Sequence, residues 1–384
     1  MTKFISKLKA VKWKHYVNYI GVALAMLEFT LVTLLGEPKS TTLYQLENIT
    51  MNIILAVSLS LVVGFLGELS LGHAGFMCIG AYIGGKLSSL LSAGALGDGI
   101  VNLIISMLVG AIAAGAFGFV IGLPALRLKG DYLAIVTLAF GEIVRTIFQN
   151  SSEKSFGGPM GIKTPRFDKH YLFIIGFVLV LITLFVVQNV IRSKHGRAIT
   201  AIRDNEIAAR ATGINVTKYK LLGFIISAAF AGVAGVFYSF ANFNVRPVTF
   251  DYNYSIEMLV MVVLGGMGNV SGAIISATLI TILNTELQTV LSGDLAVLKD
   301  IIYSLVLIVI VIYNNAPKLK AFRDKYNPKA ILHRVMMRRR DAGYVVDDAA
   351  RWDVIPTKID MDEVLSTDLN VTESTLKPDK EEKP

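Results

Sequence analysis

Residues 49–82 read ITMNIILAVSLSLVVGFLGELSLGHAGFMCIGAY. From Ile49 to Gly67 there is no charged side chain, and as a helix the run is long enough to cross most of the roughly 30 Å of hydrocarbon in a bilayer. Glu68 and a glycine-rich stretch, LSLGHAGF at residues 69–76, then interrupt the pattern, and a second apolar run starts at once and carries Gly80, Gly84 and Gly85. Two apolar runs joined by glycine rather than by a long polar loop belong in lipid. There, only segments whose backbone groups bond internally are stable, and that means helices.

The rest of the chain has the same character. Of 384 residues, 53% are hydrophobic and only 17% charged, with mean hydropathy +0.58, whereas soluble domains carry about 25% charged residues. Further apolar runs occupy residues 16–36, 74–91, 99–126, 132–148, 171–191, 221–241, 256–266, 273–284 and 301–313. The expected fold class is all-α: a polytopic integral membrane protein of eight to ten transmembrane helices with glycine-rich broken or re-entrant segments. The span count is open at residues 256–284, where two short apolar pieces flank a glycine-rich break and read either as tilted helices or as a re-entrant pair. The first run is too long for a signal peptide and lacks a small-residue cleavage site, so it reads as a retained helix.

Basic residues set the orientation. With the N-terminus inside and ten crossings, the inside loops hold 23 Lys and Arg against 7 outside. That bias places both termini in the cytoplasm. The chain then divides into a basic N-terminal segment (1–15), a transmembrane domain (16–316) with a long cytoplasmic loop (192–220), a basic juxtamembrane segment (317–340) and a tail (341–384). The tail has 12 acidic and 5 basic residues and no apolar periodicity, the composition of a disordered cytoplasmic segment.

Enzyme chemistry finds little support. Cys78 is the sole cysteine and there are five histidines, so neither a disulfide framework nor a metal site is expected, and no cofactor is implied. GAYIGGK at residues 80–86 matches the spacing of a phosphate-binding loop. However, Leu87 replaces the required Ser or Thr and the stretch lies in an apolar run, so nucleotide binding here is rejected. If ATP drives this protein, another chain hydrolyses it. The net charge of +8 reads as membrane-facing loops beside anionic lipid, not as a nucleic-acid surface.

Three features carry functional information. Glu142 and Arg145 lie three apart on one helix, a pairing distance, and suit either a solute pathway or a helix-orienting role. The break at residues 69–76 and a second at residues 264–273, LGGMGNVSGA, place Gly72, His73, Gly75, Gly268, Asn269 and Gly272 where freed backbone groups must be met by protein, water or solute. Close helix packing through the same glycines is the competing reading. In the loop, residues 196–216 read GRAITAIRDNEIAARATGINV, a short surface helix stopped by Gly213 that suits a groove on a soluble partner or the membrane surface.

These stretches, together with LPALRLKGDYLAIVTLAFGEIVR at residues 123–145, resemble the permease subunits of ABC importers for branched-chain amino acids, of the LivM type, in order and spacing over residues 49–317. The resemblance implies two cytoplasmic ABC ATPase subunits, a second permease (LivH-like or another copy) and an extracytoplasmic solute-binding protein, all at a prokaryotic plasma membrane. It also implies that the ATPase-coupling helix lies in the 192–220 loop, with Glu206, Ala208, Ala209, Arg210 and Gly213 at the contact. The E-A-A-x-x-x-G pattern of such helices is met by Ala208, Ala209 and Gly213; Ile207 stands at its Glu position, and Glu206 is one residue early. A stand-alone ion-coupled transporter or channel is the competing class, and Glu28, Glu68, His73, Glu142 and Glu257 are the groups it could use.

Overall fold

The structure, a computed structural model, describes residues 17–35, 40–94, 97, 99–128, 130–165, 167, 169–290 and positions 304, 305 and 308. The expected segments 1–15, 317–340 and 341–384, and most of the apolar run 301–313, lie outside the described residues. The chain divides into two units, residues 1–312 and 313–384, and every described helix belongs to the first.

Helices make almost all of that unit. They are α1 (Val17–Leu35), α2 (Ser40–Ser60), α3 (His73–Ser92), α4 (Ile100–Ala125), α5 (Asp131–Gln149), the single turn α6 (Glu153–Phe156), α7 (Lys169–Arg192), α8 (Lys194–Asp204), α9 (Glu206–Ala211), α10 (Val216–Ala241), α11 (Tyr252–Gly265) and α12 (Val270–Val290). Six of the described helical segments are long and apolar enough to cross a membrane; they correspond to α2 with its continuation to Leu66, and to α3, α4, α7, α10 and α12. The protein is therefore an all-α, multi-pass membrane protein. Three more helices, α1, α5 and the 14-residue α11, run alongside these six.

Burial separates centre from rim. Of the apolar 18-residue stretch within each segment, 94% is buried in Thr41–Leu66, against 33% in Ile100–Ala125 and 33% in Val270–Gln288. In water the exposed Ile104, Leu108, Ile112 and Val120 of α4 would be a large apolar patch; in lipid they are the expected solvent-facing side, because acyl chains are as apolar as leucine. Small residues hold the centre together. A Cβ on Gly80 would run into the backbone of Gly232, and one on Gly235 into the carbonyl of Met77, so α3 and α10 approach more closely than alanine would allow.

Successive helices alternate in direction, and the chain reversals gather at two ends. At one end the close of α2 meets the start of α10 and the α11–α12 turn, and Ser271 bonds Asn18 at the start of α1 (2.6 Å). The other end is capped by the antiparallel pair β1 (Ile162–Lys163) and β2 (Asn244–Val245), in the register Ile162↔Val245. Residues 256–284 thus form a helical hairpin of one short arm, α11, and one full-length arm, α12.

Candidate functional site

The first break is built by local backbone chemistry. After Ser60 the helix widens into a π-helical turn, Leu61–Leu66, and stops at Gly67, which adopts φ 77°. Because the chain then runs non-helically to His73, its N–H groups need partners. Protein side chains supply them: Thr137 Oγ1 of α5 accepts from Leu71 N (3.0 Å) and Ser255 Oγ of α11 accepts from Ala74 N (3.2 Å). His73 Nε2 lies 2.9 Å from Ser58 Oγ and ties the start of α3 back to α2. A Cβ on Gly72 would come within 2.6 Å of the Thr137 carbonyl oxygen, and one on Gly75 within 2.7 Å of Gly141 Cα. These two glycines permit close α3–α5 packing.

The second break is the turn between α11 and α12, where Gly266 (φ 89°) and Gly268 (φ 81°) take left-handed conformations that side chains disfavour. Asn269 is exposed and its carbonyl accepts from Ala273 N (3.0 Å). A Cβ on Gly272 would collide with the Gly265 carbonyl, so Gly272 allows the two arms to close.

The fold brings the two breaks together. A Cβ on Gly64 would sit 2.5 Å from Gly268 N, so the π-helical turn and the hairpin turn touch backbone to backbone. Arg203, the penultimate residue of α8, donates from Nη1 to the Gly64 carbonyl (3.2 Å), and its side chain lies against Gly67. Its Nε and Nη2 donate to Asp204 Oδ1 at 3.1 and 2.9 Å.

The loop between α7 and α10 is two helices rather than the single one expected from residues 196–216. Asn205 leaves the helical region (φ −158°) and its side chain caps α9 by accepting from Ile207 N and Ala208 N; Asn, with its short acceptor, favours such a cap over a helix interior. Gly213, at φ 84°, closes α9: Ile214 N donates to Ala209 O and Gly213 N to Arg210 O, the paired bonds of a glycine-terminated helix. Ala209 is buried with Ile202 and Val216. Ala208 and Arg210 are exposed, and Ile207 is 79% exposed.

An ion cluster fixes this loop to the first break. Lys220, early in α10, pairs with Glu68 and, at 3.2 Å, with Glu206, their side chains being 4%, 12% and 21% exposed. Glu206 also pairs with Arg210 at 2.8 Å. Arg203, Glu206 and Arg210 are legible in the sequence as loop charges; the part played by Lys220 is not. The available signal was a charge at each end of an apolar run, Glu68 closing one and Lys220 opening another, with opposite signs.

Glu142 and Arg145 do pair (2.7 Å), half-buried, and Arg145 also bonds Gln149 Oε1 at 3.2 Å. They follow Gly141, which packs against Gly72 and Gly75 at the first break. Residues 80–86 are helix interior in α3. Among the described residues no group of three or more His, Cys, Asp or Glu could hold a metal ion.

Comparison with known proteins places this architecture. Residues 42–311 match the family described as "Branched-chain amino acid transport system / permease component". The chain is similar to the high-affinity branched-chain amino acid transport system permease protein LivM of Salmonella typhimurium, at 37% identity over 262 residues, 60% of each chain; it thus spans less than two thirds of that relative's length. It is also similar to the probable LivM of Methanocaldococcus jannaschii, at 31% identity over 57% of this chain and 73% of that one. The ribose import permease RbsC of Escherichia coli is 28% identical over 73% of this chain and 88% of its own. No solved structure matches the chain significantly.

Proposed function

The chain belongs to the family of permease components of branched-chain amino acid transport systems, and from that membership we propose that it is the membrane-spanning subunit of an ATP-driven importer for leucine, isoleucine, valine or a related small solute. It acts with two cytoplasmic ATPase subunits, a second permease, LivH-like or another copy, and an extracytoplasmic binding protein. The end bearing α8 and α9 faces the cytoplasm of a prokaryotic cell. Its own role is the passage; ATP hydrolysis belongs to the partners.

The observation that carries this reading is the contact of α8 and α9 with both breaks. Arg203 holds Gly64, Lys220 bridges Glu206 of α9 to Glu68, and Gly64 touches Gly268. A partner pushing on the exposed Ile207, Ala208 and Arg210 face therefore moves the two places where the membrane helices are discontinuous. Nucleotide-dependent binding to that face shifts the population between outward and inward openings, because the partner contacts the loop differently in its two states. Gly72, His73, Gly75, Gly268, Asn269 and Gly272 act as the joint of this movement, and Glu142 with Arg145 holds α5 beside the pathway.

The test is to extract the tagged chain in mild detergent from its own host and identify what co-purifies. Recovery of an ATPase subunit and a permease partner, with the ATPase lost on Ile207→Asp, is the expected result. A chain that purifies alone and moves solute into liposomes under an ion gradient would overturn the reading in favour of secondary transport.

A further inference from the structure

The end of the protein away from the coupling loop closes over a cluster of aromatic rings. Tyr82 of α3 donates its hydroxyl to the Val245 carbonyl (3.1 Å). Its ring stacks on Phe148 at 4.3 Å and meets Phe156 and Phe250 edge-on. These contacts seat the β1–β2 pair and two single turns beside it, Gly158–Met160 and Pro247–Phe250, which pack on each other. A Cβ on Gly161 would run into the Val245 carbonyl, so the two loops lie backbone against backbone. Irregular backbone of this kind does not face hydrocarbon, and the cap therefore stands in water.

The outer surface of the cap is ill suited to water alone. Met160, at the end of one turn, is 77% exposed, and Val248, on the other, is 59% exposed. Lys154, Lys163 and Arg246 stand exposed around them, and no ion pair among the described residues uses any of the three. Asp251 turns its carboxylate to the start of α11, where it accepts from Tyr254 N and from Asn253 Nδ2, both at 3.0 Å. Among the described residues, the exposed charges of the cap are thus those three cations against Glu153. Exposed apolar side chains ringed by charge mark a place where another protein sits. A surface already held in place by its own core loses little freedom when one arrives.

We propose that this cap is the docking surface for the extracytoplasmic solute-binding protein, which sets an apolar hollow over Met160 and Val248 and carboxylates against Lys163 and Arg246. The inference rests on the transport reading for the partner's identity and for the side of the membrane. It also supplies a route inward. The Pro247–Phe250 turn runs directly into Asp251 and α11, and the far end of α11 is the turn that touches Gly64. A partner pressing on the cap thus acts on the first break through one helix of 14 residues, about 21 Å long at 1.5 Å per residue.

The test places a photo-crosslinking amino acid at Met160 of the full chain in its own host, illuminates intact cells and identifies what is captured. The captured protein is then purified by itself, tested by calorimetry for binding of leucine, isoleucine and valine, and titrated onto the permease complex in lipid nanodiscs. The expected capture is a soluble extracytoplasmic protein that binds one of these amino acids. Its affinity for the complex falls about tenfold or more in the Lys163→Glu, Arg246→Glu double variant, and the loss shrinks as salt rises because exposed charges are screened. Met160→Ser weakens docking at every salt concentration, and an unchanged unfolding temperature shows that both variants keep the fold. No capture, capture of lipid alone, of a second copy or of another membrane chain, a captured protein that binds none of the three amino acids, or an affinity unchanged in both variants would each overturn the proposal. Failure of the transport reading looks different: the binding protein docks through Lys163 and Arg246, yet the assembled complex moves no amino acid on ATP addition.

Discussion

At the scale of single residues, charge and the lack of a side chain do different work. Lys220 is enclosed between Glu68 and Glu206, and removing one member of a buried cluster leaves its partners unneutralised. Lys220→Met should lower stability by about 3–5 kcal/mol, read as a fall in the detergent unfolding temperature. The Lys220→Met, Glu68→Gln double variant should recover part of that loss, since it removes the stranded charge; no recovery would mean the pair does not act as a unit. Gly64 works by absence. Gly64→Ala would push a methyl group to within 2.5 Å of the Gly268 backbone, where no flexible side chain can yield. It should destabilise the contact by about 1–3 kcal/mol and reduce uptake while membrane insertion persists, measured as transport per unit of inserted protein.

At the scale of elements, α8 and α9 owe their shape to three short polar caps. Ser193, Asn205 and Asn215 each accept backbone N–H bonds at a helix start, so a stretch that reads as one amphipathic helix folds as two. The kink turns Ala209 inward onto Ile202 and Val216 and leaves Ile207 outward. Ile207→Asp should therefore weaken ATPase association about tenfold to a hundredfold, the loss of one buried aliphatic side chain, with the permease still folded; an unchanged pull-down would move the docking face elsewhere. Ala209→Glu predicts a different fault. It buries a charge inside the loop's own small core, so it should unfold the loop and raise its protease sensitivity before any effect on docking is read.

At the scale of the whole molecule, the alternating course puts the 193–216 loop and the α11–α12 turn at one end and the β1–β2 cap at the other. In a Cys78→Ser background, cysteines placed at Lys194 and Met267 should react with a membrane-impermeant maleimide from one side of the membrane. Those placed at Ser152 and Val248 should react from the other. Reaction of position 267 from the same side as 248 would show that α11 and α12 do not reach the coupling end. The orientation proposed from the basic loops adds that the Lys194 side is the cytoplasm.

What the amino-acid order determined by itself was the solvent and the secondary structure. Long uncharged runs can satisfy their backbone in lipid only as helices, so the all-α membrane fold was legible, as were both glycine interruptions, the i,i+3 pair Glu142–Arg145, and the glycine that ends α9. Tertiary structure alone decided which of these meet. Gly64 and Gly268 are more than two hundred residues apart in order, and nothing local says that one will lie against the other or that Arg203 will bond the Gly64 carbonyl. Lys220 finds Glu68 for the same reason. The cap was equally hidden: Met160 and Lys163 belong to one loop, Arg246 and Val248 to another far along the chain, and only the β1–β2 pairing puts them on one surface.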